Sequence, residues 1–202
     1  MFSVSQSLGS EDLARRVIAA FVLFVVLLLL SFAVGALILP TGAMSEIPFL
    51  STLAFAGEES FASAVTKTLL INLFMTALII LANHCRVRDL NFGYLVIYAN
   101  TVLMGLFAGT DSFAGGVSTF TLEGWLLFAR IGLLEFSAYI LICAATVPLT
   151  MYYADAWHGE DFRRTRTFRN ISLNRSEAAL IVLSLLLLLV AAVDEWLFLV
   201  SA

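Results

Sequence analysis

Residues 17–39 read VIAAFVLFVVLLLLSFAVGALIL, an unbroken apolar run without a charged side chain. A helix that crosses the hydrocarbon core of a bilayer needs about 20 such residues. A cleaved signal peptide has a shorter apolar region of about 7–15 residues and a small-residue cleavage site. No clear site of that kind follows here, so the stretch predicts a retained first transmembrane helix, preceded by Arg15 and Arg16.

Four more apolar stretches follow the first one along the chain. The five predicted spans are residues 17–39, 63–83, 91–110, 123–151 and 177–200. They take up most of the 202 residues, of which 61% are hydrophobic and 13% charged, with a mean hydropathy of +0.98. Lipid accepts a surface this apolar, whereas water does not. We therefore expect an all-α integral membrane protein of five transmembrane helices, with residues 1–202 as a single transmembrane domain.

The basic residues predict the orientation of the chain, because loops rich in Lys and Arg stay in the cytoplasm. The connections at residues 40–62 and 111–122 contain no basic residue. Arginines instead precede the first span and occupy the loops after the second and fourth spans: Arg15, Arg16, Arg86, Arg88, Arg163, Arg164, Arg166, Arg169 and Arg175. We therefore expect the N-terminus in the cytoplasm, the C-terminus outside, and the chain in the cell membrane.

The longest basic loop covers residues 154–176 and interleaves arginines with Trp157, Phe162 and Phe168. This composition suits an anionic lipid surface, where each basic charge contributes about 1 kcal/mol near the headgroups. The expected headgroup contacts are Arg163, Arg164, Arg166 and Arg169. An alternative interpretation is that the loop only sets topology. The net charge of −4 argues against a nucleic acid partner.

Three spans carry a polar residue at similar depth. At about 1.5 Å of rise per residue, Asn72 and Asn100 lie roughly 13 Å into the bilayer and Glu135 about 18 Å. A carboxylate there costs about 2.5 kcal/mol or more on insertion scales, so Glu135 must face the bundle interior. Arg130, one turn nearer the outside on the same helix, is a candidate counter-charge. Asn72, Asn100, Glu135 and Arg130 therefore form a predicted midplane polar cluster.

This cluster has two interpretations. It is either an interhelical clamp, whose hydrogen bonds contribute about 0.6 kcal/mol each in membranes, or a site that handles protons or ions through Glu135. Span three also contains Gly105 and Gly109 in a GxxxG spacing, which lets two helices approach closely within one chain or in a homodimer. The first and fifth spans lack a polar face and are expected at the lipid-exposed periphery, around a core of spans two to four.

The sequence disfavours an enzyme. Its two histidines, His84 and His158, lie in predicted cytoplasmic loops, so neither a Ser/His pair nor a metal site is expected at membrane depth. No phosphate-binding or dinucleotide-binding motif occurs, and we expect no cofactor. Cys85 and Cys143 are expected to be free thiols.

The polar motifs of the central spans resemble the stage II sporulation protein M family of integral membrane proteins. The similar pieces are Ile71-Asn72-Leu73, the stretch from Asn100 through Gly105 to Gly109, and Gly132-Leu-Leu-Glu135. The resemblance covers residues 63–151 and adds Gly132 to the helix-packing glycines. The family's best-studied members are membrane anchors and scaffolds of a complex that remodels the cell wall during spore engulfment. The resemblance therefore implies a non-enzymatic, multi-span membrane component.

Two functions follow from these observations. The first is a scaffold or anchor subunit of a membrane complex, whose partners are the bilayer, anionic headgroups and other membrane proteins, including a second copy of the chain. The second is a small oligomeric ion or proton channel or transporter that uses Glu135. The connection 40–62 is expected to form an interfacial helix, with a re-entrant loop as the alternative.

Overall fold

The computed structural model describes residues 4–45, 60–112, 118–156 and 162–201. Five of its helices are long and apolar enough to cross a membrane. Each coincides with one of the predicted spans apart from a few residues at the ends. The described residues form six α-helices. These are α1 Val4–Leu8, α2 Leu13–Ile38, α3 Phe61–Ala82, α4 Phe92–Gly109, α5 Leu122–Thr146 and α6 Arg175–Ser201, and a 3-10 turn, Val147–Leu149, follows α5.

Short polar side chains define where the spanning helices begin. The Asp12 carboxylate accepts from the backbone N–H groups of Ala14 and Arg15 at the start of α2. Ser60 and Thr121 cap α3 and α5 in the same way. These side chains satisfy N–H groups that have no partner within the helix. The helix starts are therefore encoded locally.

The fold also contains a small four-stranded sheet, which corrects the all-α prediction. Its strands are β1 Cys85–Val87, β2 Leu90–Asn91, β3 Tyr152–Ala154 and β4 Arg163–Arg164, in the order β2-β1-β3-β4. Strand β1 pairs antiparallel with β2 and parallel with β3, and β3 pairs antiparallel with β4. Strands of two or three residues are too short to show a period of two, so sequence patterns do not reveal them.

The sheet lies at the end of the bundle that carries most of the arginines. We call this the basic end: residues 4–12, 83–91, 150–156 and 162–174. The opposite end, described for residues 39–45, 110–112 and 118–121, is tied together by Gly42, whose N–H donates to the Thr110 carbonyl at 2.7 Å. Most of the connection for which we predicted an interfacial helix, residues 46–59, lies outside the described residues.

Helices α2 and α4 pack closely against each other through small residues. The Gly105-x-x-x-Gly109 motif of α4 packs against Ser31 and Gly35 of α2. A Cβ on Gly35 would approach the Leu106 carbonyl oxygen to 2.8 Å, and one on Gly109 would approach the Ala36 nitrogen to 2.9 Å. The GxxxG motif therefore packs within the chain, and its partner is a matching small-x-x-x-small pair on the first span.

Two expectations about packing need correction. Gly132 is not a close-packing glycine, because a Cβ there would meet only the Phe128 ring of its own helix, at 3.5 Å or more. The predicted core of spans two to four is also only partly right. Helices α4 and α5 have the largest buried shares, 50% and 44%, whereas α3 has 28%, the same as α6. Helix α2 exposes most of its apolar surface, as expected, but buries one face that includes Phe24, which contacts Phe136 at 5.0 Å between ring centroids.

Candidate functional site

One face of α3 is both buried and polar along most of the helix. Thr68, Asn72 and Thr76 follow each other at intervals of four residues, and Asn83 lies just beyond the end of the helix. Residues four apart lie on the same side of an α-helix. These four side chains therefore form a line directed into the bundle, which we call the polar stripe. It runs from near the basic end towards the opposite end of the bundle.

The centre of the polar stripe holds the predicted acid. Asn72 Nδ2 donates to Glu135 Oε1 at 2.6 Å, and the Tyr139 hydroxyl donates to Asn72 Oδ1 at 2.7 Å. Glu135 and Tyr139 lie four residues apart on α5, so both reach the same asparagine. The Asn72 side chain thus donates to one residue of α5 and accepts from another, and these two bonds fix the orientation of its amide.

The structure does not join the other two predicted members to this pair. Arg130 turns to α6, where its Nε and Nη2 bind both carboxylate oxygens of Asp194 at 2.7 and 2.5 Å. Asn100 is half-buried on α4 and makes no side-chain hydrogen bond to Asn72 or Glu135 within the described residues. The counter-charge of Arg130 is therefore an acid of the fifth span.

Sequence reasoning did not identify a second acid beside the polar stripe. Glu195 of α6 accepts at Oε2 from the Thr68 hydroxyl at 3.0 Å. Thr68 is one turn from Asn72 on α3, so the contact between Thr68 and Glu195 lies one turn from the contact between Asn72 and Glu135. A comparison of the depths of polar residues in spans two and five would have indicated that Glu195 lies near Thr68.

A second polar cluster lies where the polar stripe meets the basic end. Asn83 is fully buried, and its Nδ2 donates to the Cys143 carbonyl at 2.9 Å and to Thr146 Oγ1 at 2.8 Å. Asn91 in turn donates to the Asn83 carbonyl and to Thr150 Oγ1, at 3.1 and 2.7 Å. The turn between α3 and α4 is thereby bound to the end of α5. These bonds satisfy polar groups that would be costly to bury alone.

The side chains of the polar stripe and their partners can hold or exchange protons. The described residues contain no group of three His, Cys, Asp or Glu side chains that could hold a metal ion. Both cysteines are free thiols, Cys143 buried and Cys85 half-buried, and burial raises the pKa of the Cys85 thiol. The groups available along the polar stripe are therefore carboxylates, amides and hydroxyls.

The arginines predicted to contact lipid headgroups are all exposed at the basic end. Arg163 pairs with Asp155, and Arg164 and Arg166 donate to backbone carbonyls. Arg169 is exposed in the turn that follows. Their charged groups are accessible to an anionic surface, and Phe168 beside them exposes 70% of its area.

Five apolar helices of spanning length, packed around a buried polar stripe, are the architecture of a helical multi-pass membrane protein. No family model, curated protein or solved structure matches this chain. The resemblance to the stage II sporulation protein M family rests on its short motifs alone.

Proposed function

We propose that this protein is a five-span component of the cell membrane that serves as a non-enzymatic scaffold or anchor subunit of a membrane complex. In this proposal the N-terminus and the basic end face the cytoplasm and the C-terminus faces outside. The arginine distribution supports this orientation, since every strongly basic connection is at the basic end.

The observation that carries the proposal is the way in which the polar groups at membrane depth are used. Asn72, Glu135 and Tyr139 satisfy one another across α3 and α5. Arg130 and Asp194 do the same across α5 and α6. A pathway for ions needs polar groups that remain free to bind a moving ligand, whereas these groups hold helices together. They are the contacts of a rigid bundle.

The basic end supports the same proposal. Its short sheet joins the loop between α3 and α4 to the loop between α5 and α6, so their backbones are ordered by pairing. The adjacent arginines are exposed, and so are Phe162 and Phe168. A fixed surface of arginine and aromatic side chains is well suited to bind another protein or lipid headgroups, because these residue types dominate binding energy at interfaces.

One observation favours transport as a second candidate. Two successive turns of the polar stripe each contact a carboxylate. Thr68 bonds to Glu195, and Asn72 bonds to Glu135. The Thr76 hydroxyl, one turn further, has no hydrogen-bond partner among the described residues. A line of this kind is a plausible proton relay in a small oligomeric channel or transporter, with Glu135 as the central group.

Flux measurements separate the two functions. The protein is reconstituted in proteoliposomes, and fluxes of protons and monovalent cations are compared for wild type, Glu135→Gln and Thr76→Val across a pH series. The scaffold proposal expects no flux above that of empty vesicles for any of them. A wild-type flux that Glu135→Gln abolishes, with the variant shown to be folded, would establish transport instead.

A direct test of the scaffold uses site-specific photocrosslinking in native membranes. A photoreactive residue replaces Phe168 at the basic end or, as the matched control, Leu186 on the exposed apolar face of α6. We expect a discrete protein adduct of reproducible mass from position 168 and mainly lipid adducts from position 186. The same lipid-only result at both positions would contradict a protein partner at the basic end.

A further inference from the structure

A cavity of about 510 Å³ opens at the basic end. Its walls come from the connection between α1 and α2, strands β1 and β3, the 3-10 turn and the first turn of α6. The charged side chains in its lining are Arg16, Arg86, Arg166, Glu11 and Glu177. A cavity of this size lies in the range of about 300–1,000 Å³ that is typical of small-molecule sites.

Arg16 is the most unusual residue in this lining. It is 2% exposed, and its Nη2 donates to Glu177 Oε1 at 2.8 Å. Its Nε has no hydrogen-bond partner among the described residues. A guanidinium carries five N–H donors, so one carboxylate oxygen leaves most of them unused. A buried cation with unused donors indicates room for another acceptor.

Glu177 does not act as that acceptor, because its carboxylate makes no hydrogen bond to Arg16 Nε. Oε1 accepts from Arg16, and Oε2 accepts from the backbone N–H of Asn174 at 2.9 Å. The Asn174 side chain in turn caps the Glu177 N–H at 2.9 Å. The reciprocal bonds hold the carboxylate at the start of α6. The lining as a whole holds three arginines and two glutamates, Glu11 and Glu177, which is an excess of one positive charge.

The other two arginines reach the cavity from different elements. Arg86 belongs to β1, and its Nε donates to the Arg88 carbonyl at 2.7 Å. Arg166 follows β4 and donates from Nη1 to the Pro148 carbonyl at 3.4 Å. Arg86 Nη2 also lies 3.5 Å from Asp89 Oδ1, and both arginines retain further N–H donors. Tyr153 lies in the lining as well. Three arginines thus line one opening, although their positions in the sequence are far apart.

We propose that this cavity binds a phosphate group through Arg16, Arg86 and Arg166. Guanidinium groups bind phosphate oxygens with paired hydrogen bonds, and the lining has one more arginine than glutamate, so its net charge favours an anion. The phosphate belongs either to an anionic lipid headgroup or to a soluble phosphate ester. The lipid source rests on the proposed membrane orientation, whereas phosphate binding itself does not depend on the scaffold or transport proposals.

The test uses the purified full chain in detergent with two probes. In the first arm, glycerol 3-phosphate is titrated while the midpoint of thermal unfolding is measured, and sodium chloride holds the ionic strength constant. In the second arm, native mass spectrometry compares the retention of phosphatidylglycerol with that of phosphatidylcholine. The variants are Arg86→Gln and Arg166→Gln. The matched control is Arg175→Gln, which is exposed at the start of α6, close to Glu177 in the sequence, but does not line the cavity.

We expect binding in at least one arm, and a loss of affinity of about tenfold or more for each cavity variant, since each removes a hydrogen bond to a charged group. Arg175→Gln is expected to bind like wild type. A response to glycerol 3-phosphate assigns a soluble phosphate ester, and selective retention of phosphatidylglycerol alone assigns a lipid headgroup. Two results would overturn the proposal. One is no binding in either arm, and the other is an equal loss in Arg175→Gln and Arg166→Gln, which would indicate diffuse surface charge.

Discussion

Asn72 Nδ2 lies 2.6 Å from Glu135 Oε1 and joins the second span to the fourth at membrane depth. Tyr139 completes this contact from the same helix as Glu135. The pair provides the carboxylate with a donor where water is absent, which is the condition for retaining an acid inside a bilayer. The strength of the interaction between Asn72 and Glu135 can be measured with Thr76 of the same polar stripe as a control.

We expect Asn72 and Glu135 to be energetically coupled. In a double-mutant cycle of Asn72→Ala and Glu135→Ala, the coupling free energy of unfolding should be about 0.6–1.7 kcal/mol. Unfolding in mixed detergent micelles provides the measurement. Thr76→Val is the control, because its hydroxyl has no hydrogen-bond partner among the described residues, and the variant should be as stable as wild type or more so. Additive effects of the two alanine substitutions would contradict the pairing.

Substitution of Gly109 should weaken the contact between α2 and α4. A Cβ at Gly109 overlaps the Phe32 carbonyl oxygen and approaches Gly35 Cα to 3.0 Å, and these backbone atoms cannot move independently. We therefore expect Gly109→Ala to lower the free energy of unfolding by about 1–3 kcal/mol. Gly132→Ala is the matched control and should leave stability unchanged or slightly raised, because it meets only an ordinary ring contact. The reverse order of stability would show that the motif is not packed in this way.

Loss of the charge on Glu177 should destabilise the basic end. Arg16 and Glu177 have side chains 2% and 5% exposed, so Glu177→Gln leaves a buried cation while a glutamine can still cap the helix. Removing one partner of a buried pair costs about 3–5 kcal/mol. Thermal unfolding should show this loss, and the double variant Arg16→Met/Glu177→Gln should recover most of it. A double variant less stable than Glu177→Gln alone would argue against the pair.

Asp111 should make stability depend on acid pH. The backbone N–H of Thr119 donates to its carboxylate at 2.6 Å, and this bond is the main reason why the pKa of Asp111 lies below its ordinary value. The unfolded chain then binds the proton more readily than the folded one, so the stabilisation is complete above the ordinary Asp pKa of 3.8 and is lost as pH falls through the lower folded value.

Thermal unfolding of wild type and Asp111→Asn should therefore converge as the pH is lowered from about 5 to about 3. Asparagine suits this position because the backbone has a φ of +53°, which Asn tolerates well. A stability difference between the two that is independent of pH would exclude the carboxylate as the cause.

The orientation predicts opposite accessibility of the two ends of the bundle. Cysteine is introduced at Arg169 or Ser45 in a chain whose native cysteines are replaced, and intact spheroplasts are treated with a membrane-impermeant thiol reagent. Both positions are exposed, one at the basic end and one at the opposite end. Position 45 should be labelled in intact cells and position 169 only after lysis. The opposite pattern would invert the topology.

Much of the architecture follows from local sequence. The five spans depend on hydropathy, which also marks Asn72 and Glu135 as unusual polar residues in apolar stretches. The helix caps depend on neighbours within one helix; they are Asp12, Ser60 and Thr121. Both properties can be predicted from a few consecutive helical turns, because the transfer free energy of a span and the hydrogen bonds of its backbone depend on residues that are adjacent in the sequence.

Partners between helices could not be assigned in that way. Depth along a helix is readable from sequence, but the rotation of each helix about its axis depends on how all the helices pack. That rotation directs Arg130 to Asp194 instead of Glu135, places Glu195 on Thr68, and gives Gly109 its partner on α2.

The sequence by itself thus determined that the chain forms five apolar helices, where they begin, and which end collects the arginines. Only the tertiary structure decided which polar side chains meet, that two loops pair as a sheet, and that Arg16, Arg86 and Arg166 surround one cavity. The physical reason is distance along the chain: burial and capping are properties of adjacent residues, whereas these contacts join residues tens of positions apart and exist only once the helices have packed.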